Sequence, residues 1–207
     1  MTELYLLRHA ECDANCRREY IWGRTNESPL TRRGEKQAAA LEERMRRENI
    51  IFDAVYSSPA IRAWETIILA VPYYSRDKII IAPELQELDQ GVWTGRLRSE
   101  IYTPEQLTII NYDNWNFSPL KGESQVGVRV YGLVDEAIIQ SSEKPKNVAF
   151  SMHGVAIKCL LTLLLESDKS MTWRRHIDNA SITQLKYEDG CWWPIRINDA
   201  THIQGIY

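Results

Sequence analysis

Residues 4–15 read LYLLRHAECDAN, and the change from apolar to polar residues within this stretch decides how the rest of the chain is interpreted. Its four apolar residues, 4–7, predict a short strand that is buried on both faces. The strand ends at Arg8 and His9, a fixed cation beside an imidazole. In open α/β sheets the ligand crevice lies beyond the carboxyl ends of the strands. The pair therefore indicates an anion site with a nucleophile or proton carrier, although a strand followed by an ordinary polar loop is the alternative.

A second histidine follows another apolar run. Residues 148–152 predict a buried strand that leads directly into His153 and Gly154, and a nearly all-apolar helix continues through Leu165. Two predicted strands thus end in histidines. Because the carboxyl ends of parallel strands meet at one edge of a sheet, both imidazoles are expected at the same edge.

Two further charged residues follow predicted strands. After the strand predicted at 53–57, Ser58 and Pro59 predict an N-cap and a first helical residue, so Arg62 falls near the start of a helix. Free amides and the helix dipole already favour anions there, and an arginine adds to that affinity, although a solvated helix arginine is the alternative. Glu87 lies in an acid-rich segment shortly after a third predicted strand of β-branched residues.

The remaining chain alternates between helix and strand patterns. The long polar segment 10–30 is typical of a functional loop, and Thr31 predicts the N-cap of a helix. The other predicted elements are the helix face Ala38, Leu41 and Met45, the strand 78–82, the helix 126–138, a turn at 140–147, and strands 181–187 and 192–197; 97–120 is left unassigned. Continuous apolar strands between helices predict a three-layer αβα fold with a mostly parallel central sheet.

Length and composition narrow the class of protein. The chain has 207 residues, 44% hydrophobic and 26% charged, which suits one domain spanning residues 1–207. A net charge of -3 argues against a nucleic-acid or membrane surface but allows a local cationic pocket. The absence of a membrane-length apolar run or a signal-peptide pattern leads us to expect a cytoplasmic protein whose four cysteines are free thiols. The oligomeric state stays open.

The residues at the predicted strand ends suit one type of chemistry. Two arginines, two histidines and one carboxylate would serve phosphoryl transfer. Guanidinium groups fork onto phosphate oxygens, an imidazole can attack phosphorus, and a carboxyl group can protonate the departing oxygen.

With these residues in place, the chain resembles the histidine phosphatase superfamily, the phosphoglycerate-mutase-like fold. The opening segment is similar to the family signature Arg-His-Gly-Glu-Thr-x-x-Asn, with Ala10 in place of the glycine and Cys12 in place of the threonine. Other blocks follow in the family's order. They are GRTNESPLTRRGEKQA at 23–38, SSPAIRAWET at 57–66, ELQELDQGVWTG at 84–95, GES at 122–124, SMHG at 151–154 and NASIT at 179–183.

The resemblance implies a role for each matching residue. His9 would become the phosphohistidine, and Glu87 would protonate the leaving group and then act as base for water. Arg8, Arg62, His153 and Asn15 would hold the phosphoryl oxygens. Trp22, Gly23 and Gly154 complete the expected substrate-binding set. No metal or cofactor is expected, because fixed cations take the place of magnesium.

Three functions fit the sequence. The first is a histidine acid phosphatase-type phosphomonoesterase that hydrolyses a small phosphate ester. The second is a cofactor-dependent phosphoglycerate mutase, and the third is a non-catalytic phosphate-binding or signalling module. The resemblance favours the first, since related mutases tend to be longer. A metal site at His9, Cys12 and Cys16 is disfavoured because the spacing matches no common zinc pattern. Trp22, Trp93 and Trp115 are possible pocket residues, while His176 and His202 are expected to be structural or on the surface.

Overall fold

The central sheet has six strands in the order β3-β2-β4-β1-β5-β6 in a computed structural model, which describes residues 1–112, 115, 123–139 and 146–206. The strands are β1 (Thr2–Arg8), β2 (Ala54–Ser57), β3 (Ile80–Ile81), β4 (Asn147–Met152), β5 (Ile182–Glu188) and β6 (Cys191–Asp199). The first four strands are mutually parallel, and the hairpin β5–β6 adds two antiparallel strands beside β1. The prediction of a mostly parallel sheet is confirmed.

Helices cover both faces of this sheet. They are α1 (Asp13–Cys16), α2 (Arg32–Arg47), α3 (Ile61–Ala70), α4 (Arg98–Ile101), α5 (Pro104–Tyr112), α6 (Glu123–Val134), α7 (Gly154–Leu164) and α8 (Met171–Arg174), with a π-helical turn at Asp135–Ile139 after α6. Short 3-10 turns occupy Arg76–Lys78, Pro83–Leu85, Gly91–Trp93 and Thr201–Ile203. None of the helices among the described residues is long and apolar enough to cross a membrane.

The alternation of side chains along β1 divides the core into two layers. Leu4 and Leu6 pack with the buried residues of α6 and α7, whereas Tyr5 and Leu7 pack with those of α2 and α3. All four side chains are buried, so β1 is covered on both faces. This arrangement confirms the predicted three-layer αβα fold.

Most predicted elements lie where expected. Thr31 is the N-cap of α2 and accepts a hydrogen bond from the Gly34 amide, while Ala38, Leu41 and Met45 are buried on its core side. The helix predicted at 126–138 is α6 with its π-helical extension. The two C-terminal strands are present, and none of the four cysteines, all of which lie in the described part of the chain, forms a disulfide.

Three local predictions differ from the structure. Ser58 does not cap α3, which begins at Ile61 after Ala60, because the Ser58 amide donates to the Ser151 carbonyl and its hydroxyl contacts His153. Only residues 80–81 of the predicted strand 78–82 pair with β2, at the exposed sheet edge. The segment predicted as one loop at 10–30 contains α1.

Some sequence assignments concern residues outside the described ranges. Of the unassigned region 97–120, the structure places α4 and α5, and residues 113–114 and 116–120 lie outside the description. The same holds for Gly122 of the GES block and for residues 140–145 of the predicted turn. α8 was not predicted.

Candidate active site

The two histidines lie side by side at the carboxyl end of the parallel strands. β1 and β4 are in parallel register, with Arg8 opposite Met152, and the His9 amide donates to the Met152 carbonyl at 3.0 Å. The residue that follows each strand is a histidine, and the two histidines therefore lie at the same edge of the sheet. The ring centroids of His9 and His153 are 5.2 Å apart, so both imidazoles lie at the same edge of the sheet, as expected.

His9 presents one ring nitrogen to the site. Its Nδ1 lies 2.8 Å from the Ala10 carbonyl oxygen, and because a carbonyl only accepts, Nδ1 carries the proton. Nε2 therefore has a free lone pair and accepts a hydrogen bond from Nε of Arg62 at 3.2 Å. Burial, followed by the charges of Arg62 and Arg8, lowers the pKa of His9 well below its ordinary value. The imidazole is thus neutral and nucleophilic near neutral pH.

His153 is fully buried behind His9. Its Nε2 lies 2.8 Å from Oγ of Ser58, and its Nδ1 has no hydrogen-bond partner among the described residues. Burial and the charge of Arg62 lower its pKa well below the ordinary value. An anionic ligand would reverse the electrostatic part of that shift, since a negative charge favours the protonated imidazole.

Of the two predicted arginines, Arg62 is buried and Arg8 is half-buried. Arg8 donates through Nη1 to the Ile177 carbonyl, and its Nε makes no hydrogen bond within the part of the chain that the structure describes. A Cβ on Gly154 would lie 3.3 Å from that Nε, so glycine permits the close approach of α7 to the guanidinium. Arg62 also donates to the Thr25 carbonyl. Burial lowers the pKa of each arginine, which marks both as desolvated cations available to an anion.

Glu87 lies against the N-terminus of α7. Its Oε2 accepts from the Val155 amide and its Oε1 from the Ala156 amide, both at 3.1 Å, and Oε1 also accepts from the Leu88 amide at 2.9 Å. These three backbone donors fix the carboxyl group. Oε2, with one such bond, retains a lone pair on which a proton can be carried.

A cavity of about 470 Å³ connects these groups. Seven of the nine predicted site residues contribute to its wall, namely Arg8, His9, Asn15, Trp22, Gly23, Arg62 and Glu87. His153 and Gly154 do not line it but support His9 and Arg8 from behind. Gly23 has a φ of +50°, and a Cβ there would lie 2.6 Å from Cγ of Gln90 and 2.9 Å from the Leu88 carbonyl oxygen, so this turn requires glycine.

The sequence matches the model of the histidine phosphatase superfamily (branch 1) over residues 4–200. The protein belongs to that superfamily. Among its relatives, "Phosphoserine phosphatase 1" of Hydrogenobacter thermophilus is 29% identical, and the aligned region covers 100% of this chain and 97% of the relative. The "Probable phosphoglycerate mutase GpmB" of Yersinia enterocolitica is 30% identical, with 98% and 95% covered. The resemblance predicted from the sequence blocks is confirmed.

Solved structures agree with this assignment. Bacillus stearothermophilus YhfR superposes with a TM-score of 0.84 at 24% identity, covering 99% of this chain and 100% of that one. The Entamoeba histolytica phosphoserine phosphatase in complex with 3-phosphoglyceric acid gives a TM-score of 0.81 at 25% identity, covering 98% and 100%. The first of these supports the fold alone.

Both departures from the superfamily signature are accommodated locally. The Ala10 side chain packs with Ala38 and Ala180 in a small buried cluster. The Cys12 thiol lies 3.3 Å from Oδ1 of Asn15 and donates to it. The substitutions therefore leave the signature loop of this histidine phosphatase in place.

Asn179 is a site residue that the sequence did not single out individually. Its Nδ2 donates to the His9 carbonyl and to Oδ1 of Asn15, both at 3.0 Å. Because Oδ1 of Asn15 also accepts from the Cys12 amide, its NH2 group is left to face the cavity. The asparagine within the NASIT block was the available signal.

Thr66 ties the nucleophile loop to α3. Its hydroxyl accepts from the Ala10 amide at 2.9 Å and donates to the Arg62 carbonyl at 2.6 Å. One side chain thus links the residue after His9 to the backbone of Arg62. Glu11, by contrast, faces the start of α2, where it accepts from Thr31 and pairs with Arg33.

The rim of the cavity carries residues that the sequence analysis left open. Trp22 lies on the wall, whereas Trp93 and Trp115 do not. His176 is exposed as expected but also lines the cavity, and it pairs with Asp178 at 2.8 Å. His202 lies elsewhere, with Nε2 donating to the Ala180 carbonyl. Within the described residues, no group of three or more histidine, cysteine or acidic side chains is arranged to hold a metal ion.

Proposed function

We propose that this histidine phosphatase is a phosphomonoesterase that hydrolyses a small phosphate ester through a phosphohistidine on His9. The observation that carries the proposal is the state of His9: Nδ1 is protonated toward the Ala10 carbonyl, and the free Nε2 lies 3.2 Å from the Arg62 guanidinium. A neutral nucleophilic nitrogen beside a desolvated cation suits attack on an anionic phosphoryl group.

The proposed reaction has two steps. In the first, Nε2 forms a bond to phosphorus while the ester P–O bond breaks, and the departing oxygen takes the proton from the Glu87 carboxyl group. In the second, water attacks the phosphohistidine, Glu87 takes its proton, the P–N bond breaks and inorganic phosphate leaves. Arg8, Arg62 and Asn15 would hold the equatorial oxygens, where transition-state charge is spread.

His153 and Gly154 would act from behind the cavity. Nδ1 of His153 is buried and makes no hydrogen bond to the residues that the structure describes, and phosphate binding would favour its protonation. Gly154 allows the Arg8 guanidinium to stand against the start of α7. Trp22 and Gly23 would contact the alcohol part of the ester, since both lie on the cavity wall.

The proposal includes no metal or cofactor, because Arg8 and Arg62 supply the positive charge that magnesium supplies elsewhere. Activity is therefore expected to persist in EDTA, and its loss there would contradict this part. It also includes the acid phosphatase type, because burial and the nearby arginines lower the pKa of His9 well below its ordinary value and so favour an unprotonated Nε2 in mildly acidic solution. We further propose that residues 1–207 act as one catalytic domain on a small-molecule ester rather than on nucleic acid or a membrane.

A mutase is the second candidate, favoured by the 30% identical relative that carries that name. Hydrolysis is favoured by the exposed rim side chains Arg18, Arg98 and Trp173, which leave water access to the cavity. Incubation with 3-phosphoglycerate separates the two, since a mutase yields 2-phosphoglycerate and a phosphatase yields free phosphate. A non-catalytic module would yield neither product.

Trapping the intermediate tests the central step. Brief incubation with a labelled phosphate ester and an alkaline quench should leave acid-labile label on the protein, and His9→Ala should abolish it. His202→Gln is the matched control, because His202 lies outside the cavity and should keep the label. Label that survives in His9→Ala would move the nucleophile elsewhere, with His153 next to be tested.

A further inference from the structure

Both backbone carbonyls that flank the Cα of Glu87 are held by arginines from distant parts of the chain. The Gln86 carbonyl accepts from Nη2 of Arg129 at 2.9 Å, and the Glu87 carbonyl accepts from Nε of Arg24 at 3.3 Å. The two peptide planes that set φ and ψ of Glu87 are therefore both anchored. A catalytic carboxyl group depends on such control of its position.

Arg129 is the stronger of the two anchors. Its Nη1 also donates to the Pro83 carbonyl at 3.1 Å and to the Glu84 carbonyl, so one planar guanidinium binds three carbonyls in the segment that leads into Glu87. The Glu84 and Gln86 oxygens lie at the end of the 3-10 turn Pro83–Leu85, while the Pro83 oxygen also accepts from the Gln86 amide at 3.2 Å. The fork of donors on arginine fits this task, whereas the single ammonium of lysine does not.

The helix that carries Arg129 is itself rigidly placed. A Cβ on Gly127 would lie 3.1 Å from Cδ1 of Leu163, so α6 approaches α7 closely two residues before Arg129. α7 in turn supplies the Val155 and Ala156 amides that hold the Glu87 carboxyl group. The two helices thus hold Glu87 at two places. Arg129 of α6 binds the backbone that leads into Glu87, and the Val155 and Ala156 amides of α7 bind its carboxyl group.

The charge of Arg129 is kept in a place where desolvation makes it unfavourable. Arg129 is half-buried, and burial lowers its pKa, with the charge of Arg24 acting in the same direction. The hydrogen bonds that its guanidinium donates to this segment all end on backbone carbonyls, not on a carboxylate. A half-buried cation with this partner set indicates that its function is to hold the segment.

We infer that Arg129 is a positioning residue for the general acid, fixing the segment 83–87 so that the Glu87 carboxyl group reaches the departing oxygen. The inference rests on the proposed function. It predicts that disturbing Arg129 affects the reaction only where proton donation matters, and leaves the nucleophile His9 and the anion site intact.

Leaving-group basicity separates this role from a purely structural one. An alkyl phosphate needs a proton on its departing oxygen, whereas p-nitrophenolate departs largely unaided. For Arg129→Lys, single-turnover phosphorylation of His9 should slow by about 10²-fold with an alkyl phosphate, the size of effect that a displacement of about 1 Å produces. With p-nitrophenyl phosphate the rate should change less than about threefold.

Arg44→Lys is the matched control, because Arg44 also holds several oxygens, those of Glu48, Asp199 and Thr201, but lies outside the cavity. It should slow neither substrate. Equal losses for both substrates in Arg129→Lys, no loss for either, or the same selective loss in Arg44→Lys would overturn the inference. If Arg129→Lys shows a lowered melting temperature, assay well below it keeps the substrate ratio decisive. Failure of the unsubstituted protein to form a phosphohistidine would instead overturn the proposed function.

Discussion

Arg62 and His9, 53 positions apart in the sequence, meet with Nε of the arginine donating to Nε2 of the histidine at 3.2 Å. The contact holds the imidazole in its neutral form, because a second cation beside protonated His9 would be repelled. An incoming phosphoryl group would take over both partners, with its oxygens on the guanidinium and its phosphorus facing Nε2.

Arg62→Ala should lower kcat/KM by about 10²–10³-fold, the effect of removing a donor aimed at transition-state charge. Arg62→Lys should recover only a small part of this loss, since a point charge does not reproduce a planar fork. Steady-state kinetics on one alkyl phosphate measures both variants. Arg46→Lys, a control substitution at an exposed position on α2, should leave kcat/KM unchanged. Full rescue by lysine would show that charge alone is needed at position 62.

Glu87→Ala should slow phosphorylation of His9 by about 10²–10⁴-fold with an alkyl phosphate and far less with p-nitrophenyl phosphate. The measurement must be a single turnover, because Glu87 also serves the hydrolysis step. Equal losses with both substrates would assign Glu87 to phosphate positioning or to the fold, and Asp89 or Glu84 would then be tested as proton donor.

Asn179→Asp should raise KM by roughly 10-fold or more, in line with the loss of a hydrogen bond to a charged group. In the unsubstituted protein, Asn179 donates to Oδ1 of Asn15. A carboxylate at position 179 would instead attract the NH2 group of Asn15 and turn that group away from the cavity. In a protein that already carries Asn15→Ala, Asn179→Asp should raise KM much less. Additive losses in this double-mutant cycle would show that the two residues act independently.

Stability should fall as the pH drops from 7.5 to 5.5. His9 and His153 have pKa values lowered well below 6.5 in the folded state, so the unfolded chain binds more protons once the pH falls below about 6.5. Each then costs at most about 1.4 kcal/mol per pH unit. Urea unfolding at both pH values measures the drop, to which His202 adds in the same direction. His153→Asn should reduce it, and an unchanged drop would contradict the assignment.

Gly34→Ala should destabilise the protein by about 1–3 kcal/mol, because the new Cβ would lie 2.0 Å from the Glu11 carbonyl oxygen and force α2 away from the signature loop. Gly132→Ala is the matched change in another helix, with no atom within 4 Å of its Cβ. It should stabilise by about 0.5–1 kcal/mol through helix propensity. Equal shifts of the denaturation midpoint in the two variants, or shifts opposite in sign to those expected, would refute the steric argument at position 34.

The parts of this site that the sequence predicts are those fixed by strand order. His9 and His153 could be predicted because each follows an apolar run, and runs of this type end at one edge of a parallel sheet. Arg62 was equally compatible with a solvated helix residue, and only the packing of α3 against the sheet buries it. A local pattern contains no information on that choice.

The parts that could not be predicted depend on contacts between distant segments. Thr66, Asn179 and Arg129 act through hydrogen bonds to backbone atoms, and a backbone acceptor leaves no trace in residue type. Ser58 shows the converse error. A serine before a proline is typical of an N-cap, yet tertiary contacts to His153 and Ser151 determine its position.

The location of β1 at the middle of the sheet has a consequence for synthesis of the chain. Of the six strands of this sheet β1 is synthesised first, yet its hydrogen-bonding partners are β4 and β5. Leu4, Leu6 and Leu7 therefore have no neighbouring strand until β4, residues 147–152, has been made, and pairing across so long a loop is slow. A nascent chain that already contains His9, Arg62 and Glu87 thus lacks the strand pairing that places His153 beside His9, and the apolar strand β1 is open to chaperones or to misassembly during that interval.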